Sequence, residues 1–176
     1  MEVHQQHAEP WKVTLVDTGA DSMTGGRVKR VAPYLENETF MLTYGDGVAD
    51  ININDLLAFH KSAGKLATLT SVQLPTRFGT VETNESSIIT NFKEKPHSKD
   101  IWINAGYFVL EPGIFNYLKG NMEKVQWEKE PMEKIVKDKQ LAAYKHNGFW
   151  KCMDAMRDKI ELEQLWESNQ AKWKTW

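Results

Sequence analysis

Trp11, Val13 and Leu15 alternate with polar residues and stop at Asp17-Thr18-Gly19, which predicts a half-buried strand over residues 11–16. The ten residues before it are polar and end at Pro10; Met1-Glu2-Val3-His4 reads as a strand fragment. Ser22-Met23-Thr24-Gly25-Gly26-Arg27 leads into a helical spacing with Val28, Val31 and Leu35 on one face. A second strand, Phe40-Met41-Leu42-Thr43-Tyr44, ends in Gly45-Asp46-Gly47. Asn54 serves as N-cap of a helix from Asp55 to Ala63 that turns Leu56, Leu57 and Phe59 inward and stops at Gly64. Residues 66–72 form the next strand. The order strand, helix, strand, helix, strand predicts parallel α/β packing with right-handed crossovers.

Beyond Pro75 the texture changes. Residues 79–83 and 87–92, joined by a polar turn at Asn84-Glu85-Ser86, predict an antiparallel hairpin that runs out into Lys93-Glu94-Lys95-Pro96. Residues 101–110 are the longest strand candidate. The small pair Ala105-Gly106 in the middle implies close approach of another chain segment. Short helices are expected near 113–119 and 130–138, and a strand over 141–144. Gly148-Phe149-Trp150-Lys151-Cys152-Met153-Asp154 then enters a helix from Ala155 to Ser168, with an apolar face of Met156, Ile160, Leu162, Leu165 and Trp166.

Candidate chemistry sits at the strand ends. Glycines on both sides of Asp46 let the backbone turn and let a ligand come close, and ligands of open α/β sheets bind outside the carboxyl ends of strands. A plain Asp-Gly turn is the alternative reading. The hydroxyl and two glycines at 24–26 suit an anion at a helix start, or Ser22 or Thr24 is simply an N-cap. Asp46 and Asp154 come from separate strand ends, and two such carboxylates can share one Mg²⁺ together with substrate phosphate oxygens. Glu94-Lys95-Pro96 offers an acceptor for hydroxyls and a cation for a phosphate, or is a solvated turn.

Composition narrows the classes. The 176 residues suffice for one domain with its own core, and 41% hydrophobic and 26% charged residues are ordinary globular values. A formal net charge of −2 gives no electrostatic reason to expect nucleic acid or an anionic membrane. The single cysteine, Cys152, excludes an intrachain disulfide and fits a reducing, cytoplasmic setting, and no apolar run approaches a membrane span.

In order along the chain stand Glu9-Pro10-Trp11, Val16-Asp17-Thr18-Gly19, Met23-Thr24-Gly25-Gly26-Arg27, Thr43-Tyr44-Gly45-Asp46-Gly47-Val48, Arg77-Phe78-Gly79, Glu94-Lys95-Pro96, Ile103-Asn104-Ala105-Gly106, Trp127-Glu128 with Glu130-Pro131, and Gly148-Phe149-Trp150 with Met153-Asp154. With these motifs the whole chain resembles the sugar-phosphate nucleotidylyltransferase family, in particular its glucose-1-phosphate cytidylyltransferase branch, which makes CDP-glucose from CTP and glucose 1-phosphate. The resemblance implies a Rossmann-like, glycosyltransferase-A-like mixed sheet with flanking helices and a β-hairpin insertion. It implies that Asp46 and Asp154 hold Mg²⁺ on the nucleotide phosphates and that Arg27 and Gly45 place the nucleotide. It further implies that Lys95 contacts the sugar phosphate, and that Glu94, Asn104 and the Gly79 backbone contact the glucose.

Several positions depart from the family pattern. Ala105 stands where glycine is usual, Lys151-Cys152 where Gln-Pro is usual, and Ala155 where threonine is usual. Lys151 is expected to reach Asp154 or Asp46 and take the cation's place. No Gly-rich triphosphate loop precedes Trp11 within these residues. The resemblance thus leaves out a nucleotide-binding part of at least two βαβ units, ~30 residues or more each. The expectation is a catalytically incomplete homologue, with homo-oligomer formation covering the exposed sheet. The alternative is a non-catalytic module that binds nucleotide or sugar phosphate, or that associates with itself.

Overall fold

The computed structural model describes residues 11–73, 80–94 and 101–174. In chain order these form α1 (Thr24–Val31), β1 (Phe40–Thr43), β2 (Gly47–Ala49), α2 (Ile53–Ala63), β3 (Ala67–Val72), β4 (Thr80–Thr83), β5 (Ile89–Lys93), β6 (Ile103–Leu110), α3 (Glu130–Lys137), β7 (Leu141–His146), β8 (Trp150–Cys152) and α4 (Met156–Glu167). Single 3-10 turns occupy Ala32–Tyr34 and Pro112–Asn116. The strand fragment expected at residues 1–4, Gly79 and Lys95 lie outside the described residues.

The main sheet has the order β1-β6-β3-β7. β6 runs antiparallel to both β1 and β3, while β3 and β7 are parallel. β1 and β3 thus point the same way, as their helical connection predicts, but they are not neighbours. The long strand inserts between them because it is the most apolar: from Ala105 to Leu110 only Tyr107 is not fully buried. A strand buried on both faces belongs where both of its edges are paired.

The expected strand over residues 11–16 does not form. The segment carries no ladder, and Trp11, Val13 and Leu15 are all exposed. Alternation creates a face to bury, but a strand also needs a neighbouring backbone to take its N–H and C=O groups. Among the described residues none is supplied.

α2 begins one turn fraction earlier than its spacing implies. Asn52, not Asn54, is the N-cap, and its side chain accepts from the Asn54 and Asp55 N–H groups. Gly64 ends the helix in the left-handed conformation (φ 59°). Leu56 faces the core. So does His60, only 2% exposed, between Thr68 of β3 (2.8 Å) and Glu111 just past β6 (3.0 Å). A carboxylate at Nε2 calls for a proton there, so in the neutral ring Nδ1 accepts from the Thr68 hydroxyl.

The larger apolar cluster of the core lies on the other side of the sheet. Phe108 and Leu110 of β6 meet Ile114, Trp127, Ile135 of α3 and Val28 of α1. Phe108 stands edge-on to Trp127 with ring centroids 5.9 Å apart. Each large side chain buried here contributes ~1.5–3 kcal/mol. α4 is less committed than its pattern implies: Leu162 is buried, but Met156, Ile160 and Trp166 are exposed. The β4–β5 hairpin forms as expected. Its turn is closed by the Asn84 side chain, which accepts from Ser86 and Ile88, and Val81 and Phe92 pair across it on an exposed face.

Candidate functional site

The rim begins where β1 stops pairing. Tyr44 N–H still donates to the Gly106 carbonyl at 3.0 Å, so the ladder runs one residue past β1 before the chain peels away. Gly106 has φ +79°, and a Cβ there would lie 2.8 Å from the Tyr44 ring. That is the close approach expected of Ala105-Gly106, and the Tyr44 ring is what approaches.

After the exposed pair Gly45-Asp46, β2 pairs antiparallel with β8, Gly47 opposite Cys152. One further bond extends this ribbon: Met153 N–H donates to the Asp46 carbonyl at 2.7 Å. Asp46 and Asp154, separated by more than a hundred positions in sequence, thereby stand at the same end of one ribbon, both exposed. The ribbon is fastened to β6. Tyr107 donates its hydroxyl to the Gly47 carbonyl (2.8 Å), and Trp150 donates Nε1–H to the Ala105 carbonyl (2.8 Å). Behind it His146 pairs with Asp50 at 2.8 Å.

Lys151 does not take the cation's place. Its ammonium binds Glu161 at 2.5 Å and lies 3.9 Å from Asp158, both on α4. Strand alternation explains this: Lys151 and Asp154 leave the ribbon in different directions, and α4 presents two carboxylates on the Lys151 side. Asp154 instead accepts from the Cys152 thiol (3.2 Å). Burial, this hydrogen bond and the Asp154 charge push the Cys152 thiol above its ordinary value. Among the described residues no third His, Cys, Asp or Glu joins the two carboxylates. Two exposed hard oxygen donors with open positions suit Mg²⁺, which keeps waters and substrate phosphates as its remaining ligands.

A polar chain lies beside the carboxylates. Tyr44 donates its hydroxyl to Glu128 Oε1 at 2.6 Å, and Thr24 donates to Glu128 Oε2 at 2.7 Å. The Trp127 N–H in turn donates to the Thr24 hydroxyl (2.9 Å). Asn104 Nδ2 approaches the Tyr44 hydroxyl oxygen at 3.4 Å, and Asn104 Oδ1 accepts from Gly106 N–H at 2.8 Å. Burial first, then the bond to Glu128 and its charge, raise the Tyr44 phenol above its ordinary value, with a smaller push from Asp46. Tyr44 and Glu128 belong to two separate motifs, Thr43–Val48 and Trp127-Glu128, neither of which by itself gives them a role. Nothing in their spacing, 84 positions apart, marks them as partners.

The structure corrects both readings of the α1 start. The N-cap is Met23, with no side-chain cap. The N–H groups of Gly25 and Gly26 are not free for an anion, because both donate to the Val125 carbonyl (3.0 and 3.3 Å). Ser22 is tied to the Thr18 carbonyl and to Arg30, and Thr24 to Glu128. Arg27 donates to the Thr18 hydroxyl (2.8 Å) and the Ala20 carbonyl (3.0 Å), so its guanidinium holds the 18–20 loop. Glu94 is exposed one residue past β5, and no hydrogen bond joins it to Asp46 or Asn104 among the described residues. Asp46, Asp154 and Asn104 are therefore gathered at one rim, while Arg27 and Glu94 stand apart from their contacts.

Residues 11–170 match the nucleotidyl transferase family. The chain belongs to that family. The glucose-1-phosphate cytidylyltransferases of Salmonella typhi and Salmonella typhimurium are each 48% identical to it over 177 residues, which take in 100% of this chain and 68% of theirs. A solved UDP-glucose pyrophosphorylase complexed with UDP-glucose has the same fold, with a TM-score of 0.62 at 16% identity over 88% of this chain and 65% of that one. A mixed sheet with flanking helices is thus the family's architecture, and the relatedness to glucose-1-phosphate cytidylyltransferase extends over the full chain. Among the described residues no helix is long and apolar enough to cross a membrane.

Proposed function

We propose that these residues carry the metal carboxylates and the sugar-phosphate side of a glucose-1-phosphate cytidylyltransferase site. The reaction joins CTP and glucose 1-phosphate: a phosphate oxygen of the sugar phosphate attacks the α-phosphorus of CTP, and pyrophosphate leaves. Asp46 and Asp154 would hold Mg²⁺, which neutralises phosphate charge during in-line transfer. Gly45 leaves open space for the nucleotide, since a Cβ there would meet nothing within 4 Å. Asn104, with Glu94, Lys95 and the Gly79 backbone, would receive the sugar phosphate. Arg27 would act on the nucleotide through the 18–20 loop it holds. The observation that carries this reading is the Met153 N–H to Asp46 carbonyl bond, which sets the two carboxylates at one ribbon end. The substrate pair is supported by the likeness to the two Salmonella glucose-1-phosphate cytidylyltransferases.

The expected result is Mg²⁺-dependent binding of CDP-glucose or glucose 1-phosphate, followed by calorimetry or NMR titration. No binding of either ligand would overturn the reading.

Among the described residues, segment 11–16 is strand-patterned but unpaired and β1 lies at the edge of the sheet; both favour self-association, in which a second copy covers that edge. Light scattering at micromolar concentration is expected to give a mass above one chain, and a monomer would overturn this.

A further inference from the structure

The carboxamide of Asn104 carries two N–H donors and one oxygen, and its orientation decides what it offers a ligand. The oxygen is committed to Gly106 N–H. One N–H faces the Tyr44 hydroxyl oxygen. That oxygen can accept only if its own proton points elsewhere, and it points to Glu128. Glu128 is held in turn by the Thr24 hydroxyl, which the Trp127 backbone N–H fixes. The chain of bonds is directional: Asn104 N–H to Tyr44, Tyr44 O–H to Glu128, and Thr24 O–H to Glu128. It spans α1, the end of β1, the start of β6 and the segment before α3, so each member is set by a different element. No other protein group takes the second Asn104 N–H among the described residues.

We propose that Glu128 is a positioning residue. By accepting the Tyr44 proton it makes Tyr44 an acceptor, which locks the Asn104 carboxamide with its second N–H free for a sugar hydroxyl of the bound sugar phosphate. The inference rests on the sugar-phosphate reading above. Without the Glu128 acceptor, the Tyr44 hydroxyl donates to whatever is nearest, and Asn104 loses the partner that sets its amide plane. Glu128 reaches Asn104 through Tyr44, so its loss is expected to weaken sugar recognition and leave phosphate binding alone. Glutamine at 128 keeps a carbonyl oxygen for the Tyr44 proton and preserves the lock.

Two measurements on ¹⁵N-labelled protein test this. In the ligand-free state, Glu128→Ala and Tyr44→Phe are expected to shift the Asn104 side-chain amide resonances in the same sense, and Glu128→Gln to leave them near their original positions. In titrations with Mg²⁺ present, Glu128→Ala and Tyr44→Phe are expected to weaken glucose 1-phosphate by about tenfold, with inorganic phosphate unchanged. The double variant is expected to be no weaker than Tyr44→Phe alone, because the two residues act in series. Unmoved Asn104 resonances in Glu128→Ala would overturn the inference while leaving the sugar-phosphate reading intact. Failure of the unaltered protein to bind glucose 1-phosphate would overturn that reading, whatever the resonances do. Equal loss of glucose 1-phosphate and inorganic phosphate would assign Glu128 a general structural role and overturn the positioning role. Should Glu128→Ala fail to fold, Tyr44→Phe, which removes one hydroxyl, carries both measurements.

Discussion

The backbone N–H of Met153 donates to the carbonyl of Asp46 at 2.7 Å, and through it the carboxylate after β1 and the carboxylate after β8 share one end of a two-stranded ribbon. The bond is between main-chain atoms, so either aspartate can be neutralised without disturbing it. Asp46→Asn and Asp154→Asn are expected to keep the melting temperature within about 2 °C, since both side chains are exposed. Each is expected to weaken Mg²⁺-dependent CDP-glucose binding by about tenfold or more in calorimetry. Equal affinity with and without the carboxylates would remove them from the site.

Gly26 in α1 and Gly45 at the rim should respond oppositely to a methyl group. A Cβ at Gly26 would lie 2.0 Å from the Met122 carbonyl oxygen, a backbone atom that cannot swing aside. Gly26→Ala is expected to cost about 3 kcal/mol or more, read as a shift in the urea midpoint. Gly45→Ala meets open space and is expected to leave that midpoint within about 0.5 kcal/mol.

Gly106 tests the contact between β6 and Tyr44. Its φ of +79° and the 2.8 Å approach of the Tyr44 ring both oppose a side chain. Gly106→Ala is expected to destabilise by about 1–3 kcal/mol, a fall of about 2–4 °C in Tm for each kcal/mol. Because Tyr44 must shift, the same variant should also displace the Asn104 side-chain resonances.

The His60–Glu111 pair gives the stability an acid limb. Burial raises the Glu111 carboxyl, but hydrogen bonds from His60 and Thr39 and the His60 interaction outweigh it, so the folded value lies below the ordinary 4.5. A carboxyl depressed in the folded state stabilises above its unfolded value and loses that contribution as pH falls through the folded one. Thermal melts between pH 6 and pH 3 are expected to fall less steeply for Glu111→Gln than for the unaltered protein, with the difference confined to the region below about pH 4.5. Parallel curves would show that Glu111 does not drive the acid limb.

Much of the scaffold was legible because its signals are local. The apolar run over 101–110, the Asn84 turn and Gly64 as a helix stop each act within a few residues, and the structure keeps all of them. Asp46 at the end of a strand was readable for the same reason. Motif order, being a one-dimensional property, was enough to reveal the family. The errors cluster where a polar group had several partners to choose from. Gly25 and Gly26 spend their N–H groups on Val125, and Lys151 turns to Glu161 rather than Asp154. Spacing shows which donors exist, but not which acceptor will stand nearest once the chain folds.

The sequence by itself determined most of the helices and the longer strands, the family and the identity of the two rim carboxylates, because periodicity, turn chemistry and motif order reside in neighbouring residues. Only the tertiary structure decided that β6 separates β1 from β3, that residues 11–16 find no strand to pair with, and that Glu128 meets Tyr44 beside Asn104. Each of those outcomes is a competition among groups far apart in the chain for the same hydrogen bonds and the same buried face. Such competition is settled by geometry in three dimensions.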